Sequence, residues 1–136
     1  MTWQSDRAEH LPEVLRWVVF ALSGLFLLLG GLFVWMPGAG AAFYGLHVDA
    51  PSALFYVRAI GVRDAALALY LFGLAWARLR RALMIVALAT VIIPLGDMLL
   101  LASSGAGTPV HYLLHGASLL CFAALAWWSS RPSFPR

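Results

Sequence analysis

Four long apolar segments alternate with short polar or glycine-rich stretches along the chain, at residues 15–36, 53–77, 82–102 and 110–128. Each segment is close to the ~20 residues that an α-helix needs to cross the hydrocarbon core of a bilayer. Because short connections join antiparallel neighbours in helical bundles, we expect an up-down-up-down arrangement. The predicted fold class is therefore all-α, an integral membrane four-helix bundle, with residues 1–136 as a single transmembrane domain.

The composition favours a membrane protein over a soluble one. Hydrophobic residues make up 62% of the chain and charged residues 11%, against ~45–50% and ~25% in typical soluble domains. A soluble core of this size has no room for so much apolar surface, so the lipid bilayer is the expected solvent and main partner. The net charge of +3 comes from dispersed arginines without a basic stripe of interleaved aromatics, which argues against nucleic-acid binding.

The arginines at and beyond the ends of the apolar segments predict the orientation in the membrane. They all fall on one side of the predicted bundle: Arg7, Arg16, Arg78, Arg80, Arg81, Arg131 and Arg136. Connections rich in arginine and lysine stay on the cytoplasmic side. We therefore expect a multi-pass protein of the cell membrane with both termini in the cytoplasm.

The first apolar segment is interpreted as a retained helix. Residues 39–41, Ala-Gly-Ala, are similar to a signal-peptide cleavage site. However, the apolar run exceeds the ~7–15 residues of a signal peptide, and its N-terminal flank is acidic as well as basic. Two pairs of small residues share helix faces, Ser23 with Gly30 and Gly24 with Gly31. Such faces let helices approach closely in lipid, either within the chain or in a homodimer.

Residues 37–52 are expected to form a loop, because the stretch carries three glycines and two prolines. Within it, the run Phe43-Tyr44-Gly45-Leu46 is too apolar for an ordinary exposed loop. Two interpretations stay open for this run: a short anchor at the membrane interface, or a lid that folds back against the bundle.

Ionisable residues interrupt three of the four apolar segments. They are Arg58, Arg63 and Asp64 in the second, Asp97 in the third, and His111 and His115 in the fourth. A charge at the centre of a membrane helix costs at least ~2.5–3.5 kcal/mol, so such residues persist where the protein itself satisfies them. At ~1.5 Å per residue, all of them fall within roughly 15 Å of the outer end of the bundle. We predict one shared site with Asp97, Asp64, His115 and Arg63 as its catalytic residues.

Helical spacing predicts which side chains face the interior. Residues three, four or seven apart share a face, so Tyr56, Arg63 and Tyr70 are expected to form one inward stripe. A second inward stripe on the fourth segment contains His111, His115 and Phe122. The residues predicted to surround the substrate are Tyr56, Arg58, Tyr70, His111 and Phe122. Of these, Arg58 lies off the Arg63 face and can also extend to the outer headgroups.

Pro94 and Gly96 interrupt the third segment. Pro94 has no N–H and so donates no hydrogen bond to the carbonyl of Thr90. We expect this to kink the third helix just before Asp97 and to free a carbonyl for another partner or a water.

Cys121 is the one cysteine of the chain. A single cysteine allows neither an intrachain disulfide nor a CxxC redox motif. Because it lies in an apolar run, we expect a buried, unreactive thiol.

The predicted cluster suits acid–base chemistry on a lipophilic small molecule. A carboxyl group in an apolar pocket is held in its neutral, proton-donating form, and a neighbouring histidine can accept a proton. Our interpretation is a membrane enzyme of the isomerase or terpene cyclase type, acting by isomerisation, cyclisation or epoxide opening on a lipophilic, isoprenoid-like substrate. Asp97 is the preferred acid, with Asp64 oriented by Arg63. The chain carries no motif for a cofactor.

Three other interpretations stay open. The charges can be structural, with Arg63 paired to Asp97 or Asp64 to fix helix packing, although buried ion pairs are poor stabilisers. The protein can be a small proton-coupled transporter, although such carriers favour a site at the midplane between repeats. His111 and His115 could hold a metal with Asp97, but this signal is weak because any histidine pair four residues apart on a helix fits it.

The pattern R-x-x-G-x-R-D at residues 58–64, followed by Gly96-Asp97 and His115, resembles a family of small four-helix membrane proteins known only as a domain of unknown function. It is also loosely similar to the DoxX-like four-helix membrane proteins. The resemblance runs from the first segment to the fourth and implies the same membrane fold. It supplies no reaction, but it favours an enzyme because other compact membrane proteins with acids inside the membrane act as isoprenoid cyclases.

Overall fold

The computed structural model describes residues 11–45, 48, 50–105 and 107–131. Six helices follow one another along this part of the chain: α1 (Glu13–Trp35), α2 (Pro37–Phe43), α3 (Pro51–Trp76), α4 (Arg80–Thr90), α5 (Ile92–Ser104) and α6 (Pro109–Ser130). The same residues contain no β-strand, so the all-α prediction is confirmed. Leu46, Arg7 and Arg136, which carry parts of the sequence predictions, lie outside the described residues.

Four helical stretches are long and apolar enough to cross a membrane: α1, α3, α6 and the nearly continuous pair α4–α5, Arg80–Ser104. They coincide with the four predicted segments to within a few residues. By length and composition, the chain is therefore a multi-pass membrane protein built as a four-span helical bundle. We call the end of the bundle where α1 and α4 begin the inner end, and the end that holds α2 the outer end.

The third span is interrupted at Val91, between α4 and α5. The Val91 N–H donates to the Leu88 carbonyl at 3.3 Å, in place of the usual bond four residues back. Pro94 has no N–H to offer the preceding turn, so the interruption predicted from this proline is present. It lies just before Asp97 and therefore sets the direction of the helix that carries this side chain.

The spans pack as two pairs. Helix α1 runs along α3, and α6 runs along α4 and α5. Gly30 of α1 and Gly61 of α3 bring their backbones together, because a Cβ on Gly30 would lie 2.7 Å from the Gly61 carbonyl oxygen. The close packing predicted for the Ser23–Gly30 face is thus confirmed. A Cβ on Gly24 would meet nothing within 4 Å, and the homodimer stays a prediction.

The two pairs share a hydrophobic core only toward the inner end. All four spans contribute to it, through Leu15, Val19, Leu71, Ala75, Leu83, Ala87, Phe122 and Leu125. Toward the outer end, a second buried cluster of Phe33, Ala41 and Val57 joins α1, α2 and α3 alone. The α1–α3 pair and the α5–α6 pair therefore separate in the outer half of the bundle and leave a cavity between them.

Helix α2 corrects the loop prediction, because residues 37–43 are helical. Pro37 begins this helix, where its missing N–H has no partner to lose and its fixed φ favours helical geometry. Gly40 is needed where α2 returns against α1, since a side chain at that position would collide with the Phe33 ring. The short helix thus folds back onto the α1–α3 pair.

Polar contacts hold the inner end together. Glu13 at the start of α1 pairs with Arg16 at 3.1 Å and with Arg78, which follows α3. The buried Arg80 donates through Nε to the Ser129 carbonyl at 2.9 Å, which joins the start of α4 to the end of α6. These contacts fasten the spans at the end opposite the cavity.

Candidate functional site

The space between the two helix pairs is a cavity of about 410 Å³ in the outer half of the bundle. This size lies within the ~300–1,000 Å³ of small-molecule pockets. Its apolar walls come from α1, α3 and α6, and its polar groups gather toward the outer end. The lining residues used below are Leu22, Leu25, Phe26, Leu29, Tyr44, Arg63, Asp64, Asp97, Leu114, His115, Ala117, Cys121 and Phe122.

Helix α3 supplies an arginine–aspartate pair to this cavity. Arg63 donates through Nε and Nη2 to Asp64 Oδ1, at 3.3 and 3.2 Å. Asp64 is buried, whereas 44% of the Arg63 side chain is exposed. The two residues are adjacent in sequence, so their pairing fastens no helix to another. It neutralises the buried carboxylate and holds the guanidinium at the cavity wall.

Helices α5 and α6 supply a second acid–base pair. His115 Nδ1 lies 3.6 Å from Asp97 Oδ2, and both side chains are almost fully buried. Good hydrogen bonds of this type are 2.7–3.2 Å long, so at 3.6 Å the two side chains are neighbours without a well-formed hydrogen bond. The Asp97 charge is also close enough to act on Asp64. The polar end of the cavity therefore holds a carboxyl and an imidazole with a gap between them.

Tyr44, at the end of α2, is the site residue that sequence reasoning missed. Its ring packs edge-on against the His115 ring, with centroids 4.8 Å apart. Its hydroxyl is close enough to the Asp97 and Arg63 side chains to interact with both, and its backbone interacts with His115. Burial raises the pKa of the Tyr44 phenol, and the nearby Asp97 carboxylate raises it further. The apolar character of residues 43–46 is the sequence signal that could have identified Tyr44 as a site residue. Two interpretations were open for this run, an interfacial anchor and a lid that folds back against the bundle, and Tyr44 fits the second.

The structure brings five of the predicted site residues to one cavity: Arg63, Asp64, Asp97, His115 and Phe122. The expectation that charges from three spans share one space is confirmed for these side chains. Phe122 is buried and packs against Phe26, with ring centroids 5.3 Å apart. Their roles in catalysis or substrate binding stay predictions.

Tyr56 and Tyr70 do not face the cavity, and the inward stripe predicted for them is wrong. Their side chains are 71% and 63% exposed, toward the surroundings of the bundle. The buried face of α3 is one residue further along, at Val57, Asp64 and Leu71. Successive residues of a helix point ~100° apart. A stripe drawn through Arg63 therefore points away from the buried face that contains Asp64, and this is why Tyr56 and Tyr70 lie outside.

Arg58 and His111 also lie outside the cavity lining. Arg58 is exposed and donates through Nε to the Val34 carbonyl at 3.3 Å. His111 begins α6, where its Nδ1 accepts the Thr108 N–H at 3.2 Å as part of a capping box. One nitrogen of Arg58 bonds to the backbone of α1, and one nitrogen of His111 bonds to Thr108 at the start of its own helix. Their predicted place around a substrate stays a prediction without support from the cavity lining.

The metal alternative is likewise without geometric support. In the described part of the chain, no three histidine, cysteine, aspartate or glutamate side chains are grouped closely enough to hold a metal ion. The Nδ1 atom of His111 is taken by Thr108.

Cys121 is exposed rather than buried, which corrects the expectation of a buried thiol. The next residue, Phe122, occupies the buried position on α6, so Cys121 is turned away from the core. It nevertheless lines the cavity. The thiol therefore sits where the cavity wall meets the outside of the bundle.

A family model for a domain of unknown function, DUF4267, matches residues 23–129. The match takes in part of the first span, nearly all of the other three, and every cavity-lining residue except Leu22. No curated protein and no solved structure matches the chain. The loose similarity to DoxX-like proteins stays a prediction. Because the matched region makes up most of the chain, this protein belongs to the DUF4267 family.

Proposed function

We propose that this protein is a membrane-embedded enzyme that moves protons on a lipophilic substrate. The reaction class is isomerisation, cyclisation or epoxide opening of an isoprenoid-like molecule. The observation that carries the proposal is the Asp97–His115 pair, 3.6 Å apart, at the polar end of an apolar cavity of about 410 Å³. An acid and a base in one water-poor space are what proton transfer to and from an apolar molecule requires.

The proposed step needs no co-reactant. The Asp97 O–H bond breaks as its proton bonds to a substrate carbon or epoxide oxygen. His115 then takes a proton from a neighbouring carbon, and the electrons of that C–H bond form the new double bond. The proton returns from His115 to Asp97 across the 3.6 Å gap, so substrate and product have the same composition. Two groups that already face each other can complete this cycle.

The remaining polar groups have supporting roles in the proposal. Arg63, held by Asp64 at 3.2 Å, stabilises negative charge that develops on a substrate oxygen. Tyr44 orients Asp97 through its hydroxyl. Phe26 and Phe122 form a paired aromatic wall deeper in the cavity. The faces of such rings attract positive charge, so they favour a cationic intermediate.

One observation favours the structural alternative: the Asp97–His115 pair joins α5 to α6. A pair at 3.6 Å is long for a fastening contact, and buried charges stabilise poorly because of their desolvation. The Arg63–Asp64 pair lies within one helix and fastens nothing. The transporter alternative rests on the same charges, all of which lie in the outer half of the bundle. Both alternatives give different outcomes in the experiment below.

The test uses reconstituted protein in heavy water with a panel of isoprenoid alkenes and epoxides. Protonation by the enzyme places deuterium in the recovered product, which mass spectrometry detects. We expect Asp97→Asn and His115→Gln each to lower this rate by ~10²–10⁴-fold, the usual contribution of a general acid or base. Glu13→Gln is the matched control, because it neutralises a carboxylate at the inner end, far from the cavity.

The alternatives predict other results. If Asp97→Asn and His115→Gln lower the melting temperature in detergent but leave deuterium incorporation unchanged, the groups are structural. If wild-type protein moves the compounds across vesicles under a pH gradient without changing them, the protein is a carrier. Either result overturns the proposal that this protein is an enzyme.

A further inference from the structure

The turn after α2 covers the outer end of the cavity with Tyr44 and Gly45. Tyr44 lies over His115 and Asp97. The next residue, Gly45, has a φ of +83° and packs so tightly that a Cβ would lie 2.8 Å from His111 Nδ1 and 3.0 Å from the Leu101 side chain. A molecule arriving from water at this end meets packed protein.

The inner end of the cavity is closed by the hydrophobic core. Val19, Leu71, Ala87 and Phe122 are all buried there and come from four different helices. Below them lies the rest of the core, followed by the polar contacts of Arg80 and Glu13 at the inner surface.

One side wall is built differently. Helix α1 packs along α3, and α6 packs along α4 and α5, so two boundaries carry little helix packing, the one between α1 and α6 and the one between α3 and α5. The α1–α6 boundary is the apolar one of the two. Two apolar stripes with helical spacing face each other there and line the cavity: Leu22, Leu25 and Leu29 on α1, and Leu114, Ala117 and Cys121 on α6. We call this boundary the α1–α6 slot.

Residues of the slot face outward as well as into the cavity. Leu25 is 52% exposed, and Ala117 and Cys121 are exposed. All three lie at the middle depth of membrane-spanning helices, where the surroundings are hydrocarbon chains. At the α3–α5 boundary, by contrast, the cavity lining includes the Arg63–Asp64 pair of α3 and Asp97 of α5, which an apolar chain would have to pass at a cost in desolvation. The slot is therefore the apolar opening of the cavity.

We infer that the ligand enters sideways from the bilayer through the α1–α6 slot. It is an amphiphile from the lipid phase: a polar or reactive end reaches Asp97 and His115, while an apolar chain lies along Phe26 and Phe122 and extends between the helices. This inference rests on the proposed function in taking the cavity as the substrate site, and it adds the route and the shape of the substrate.

The test uses a long-chain alcohol that carries a photoreactive diazirine midway along its chain, mixed into vesicles with the reconstituted full-length protein. After irradiation, mass spectrometry locates the covalent adducts. We expect adducts on peptides that contain Leu25, Leu29 and Cys121. A water-soluble diazirine sulfonate is expected to leave these peptides unlabelled. Equal labelling of the cavity by the water-soluble reagent would overturn the inference.

Two variants narrow the slot from its two sides: Ala117→Phe on α6 and Leu25→Trp on α1. Each is expected to lower the yield of slot adducts about tenfold, which corresponds to ~1.4 kcal/mol of binding. The control is Leu113→Phe, a change of similar bulk on α6 at a residue that is 72% exposed and outside the cavity. Two independent narrowing variants keep the experiment decisive if one of them does not fold. Unchanged adduct yield in a folded narrowing variant contradicts the lateral route.

The same measurement separates this inference from the proposed reaction. Asp97→Asn is expected to keep the slot adducts while it loses deuterium incorporation, because entry depends on the walls and not on the acid. If wild type gives slot adducts but no turnover, the lateral entry route is supported and the proposed enzymatic function is rejected. If both narrowing variants fold and still turn over the substrate, the lateral route is rejected and the proposed enzymatic function is kept.

Discussion

At the scale of single residues, Tyr44 connects the parts of the candidate site. It comes from the segment between the first and second spans, yet its hydroxyl reaches Asp97 of α5 and Arg63 of α3, and its ring packs on His115 of α6. One phenol thus touches a charged group from each of three helices. Its neutral form fits this place, because burial and the Asp97 carboxylate both oppose its ionisation.

Tyr44 leads to a prediction about stability and pH. Its pKa in the folded protein is above the usual value because of burial and Asp97, so between the two values the unfolded chain loses a proton that the folded protein keeps. Stability is then full below pH ~10, the pKa of a free tyrosine, and falls as the pH rises above it. We expect the melting temperature in detergent to drop between pH 9 and pH 11, roughly the range around that value.

The matched variant is Tyr44→Phe, which keeps the ring but has no proton to lose. We expect it to be less stable at pH 7 by about 0.5–1.5 kcal/mol, because its hydroxyl no longer interacts with Asp97 and Arg63. We also expect a flatter decline above pH 10 than in wild type, since only wild type carries this titration. Parallel curves for the two proteins would show that Tyr44 is not shielded from water in the folded state.

At the scale of the helices, the α1–α3 contact makes the rest of the arrangement possible. Gly61 lies three residues before Asp64, so the crossing with Gly30 fixes the rotation of α3 and turns Asp64 toward the cavity. A Cβ on Gly61 would lie 2.6 Å from the Gly30 carbonyl oxygen and 2.8 Å from Phe33 Cβ. These are backbone and near-backbone atoms that have little freedom to move away.

We therefore predict that Gly61→Ala destabilises the protein by about 1–3 kcal/mol, the usual cost of forcing extra volume into a packed contact. The control is Gly24→Ala on α1, where a Cβ meets nothing within 4 Å and the better helix propensity of alanine operates. Reversible unfolding of both variants in mixed detergent micelles measures the difference. A Gly61→Ala protein as stable as Gly24→Ala would mean that the crossing is looser than these distances indicate.

At the scale of the whole molecule, positive charge is unevenly distributed between the two ends. Arg16, Arg78, Arg80 and Arg81 lie at the inner end, together with Arg131 after α6. The described outer end has Arg58, which is held by the Val34 carbonyl. Since basic connections remain in the cytoplasm, the inner end and both termini are expected to be cytoplasmic, and the cavity to lie in the outer leaflet.

Reporter fusions test this orientation. Green fluorescent protein at the C-terminus is expected to fluoresce and alkaline phosphatase there to be inactive, because the first needs the cytoplasm and the second an oxidising compartment. The same reporters inserted after Gly105, in the turn between α5 and α6, are expected to give the opposite result. An active phosphatase at the C-terminus would place the cavity in the inner leaflet.

Much of this architecture follows from local pattern. Four runs of about 20 apolar residues specify four spans, because each span must satisfy its backbone hydrogen bonds internally in lipid. Depth along each span follows from the rise per residue, which is why Arg63, Asp64, Asp97 and His115 were assigned to the same half of the bundle. The break before Asp97 follows from the missing N–H of Pro94.

Rotation about each helix axis was harder to derive. Spacing by seven groups Tyr56 and Tyr70 with Arg63, whereas the buried face of α3 runs through Val57, Asp64 and Leu71. A greasy helix in lipid has apolar residues on all faces, so its pattern hardly distinguishes the buried face from the lipid face. The same ambiguity affects Cys121, because the apolar pattern does not show whether Cys121 or Phe122 faces the core. In the structure Phe122 is buried and Cys121 is exposed.

The sequence alone determined the number of spans, their limits and the depth of the charged groups, because these depend on chain length and hydropathy. The tertiary structure decided which charges meet, because that depends on the rotation set by the Gly30–Gly61 crossing and on α2 folding back over the outer end. It placed Tyr44 against Asp97 and His115, left Arg58 and His111 outside the cavity lining, and kept α1 and α6 from packing closely along each other. Contacts between segments distant in sequence are set by packing, which no single helix encodes.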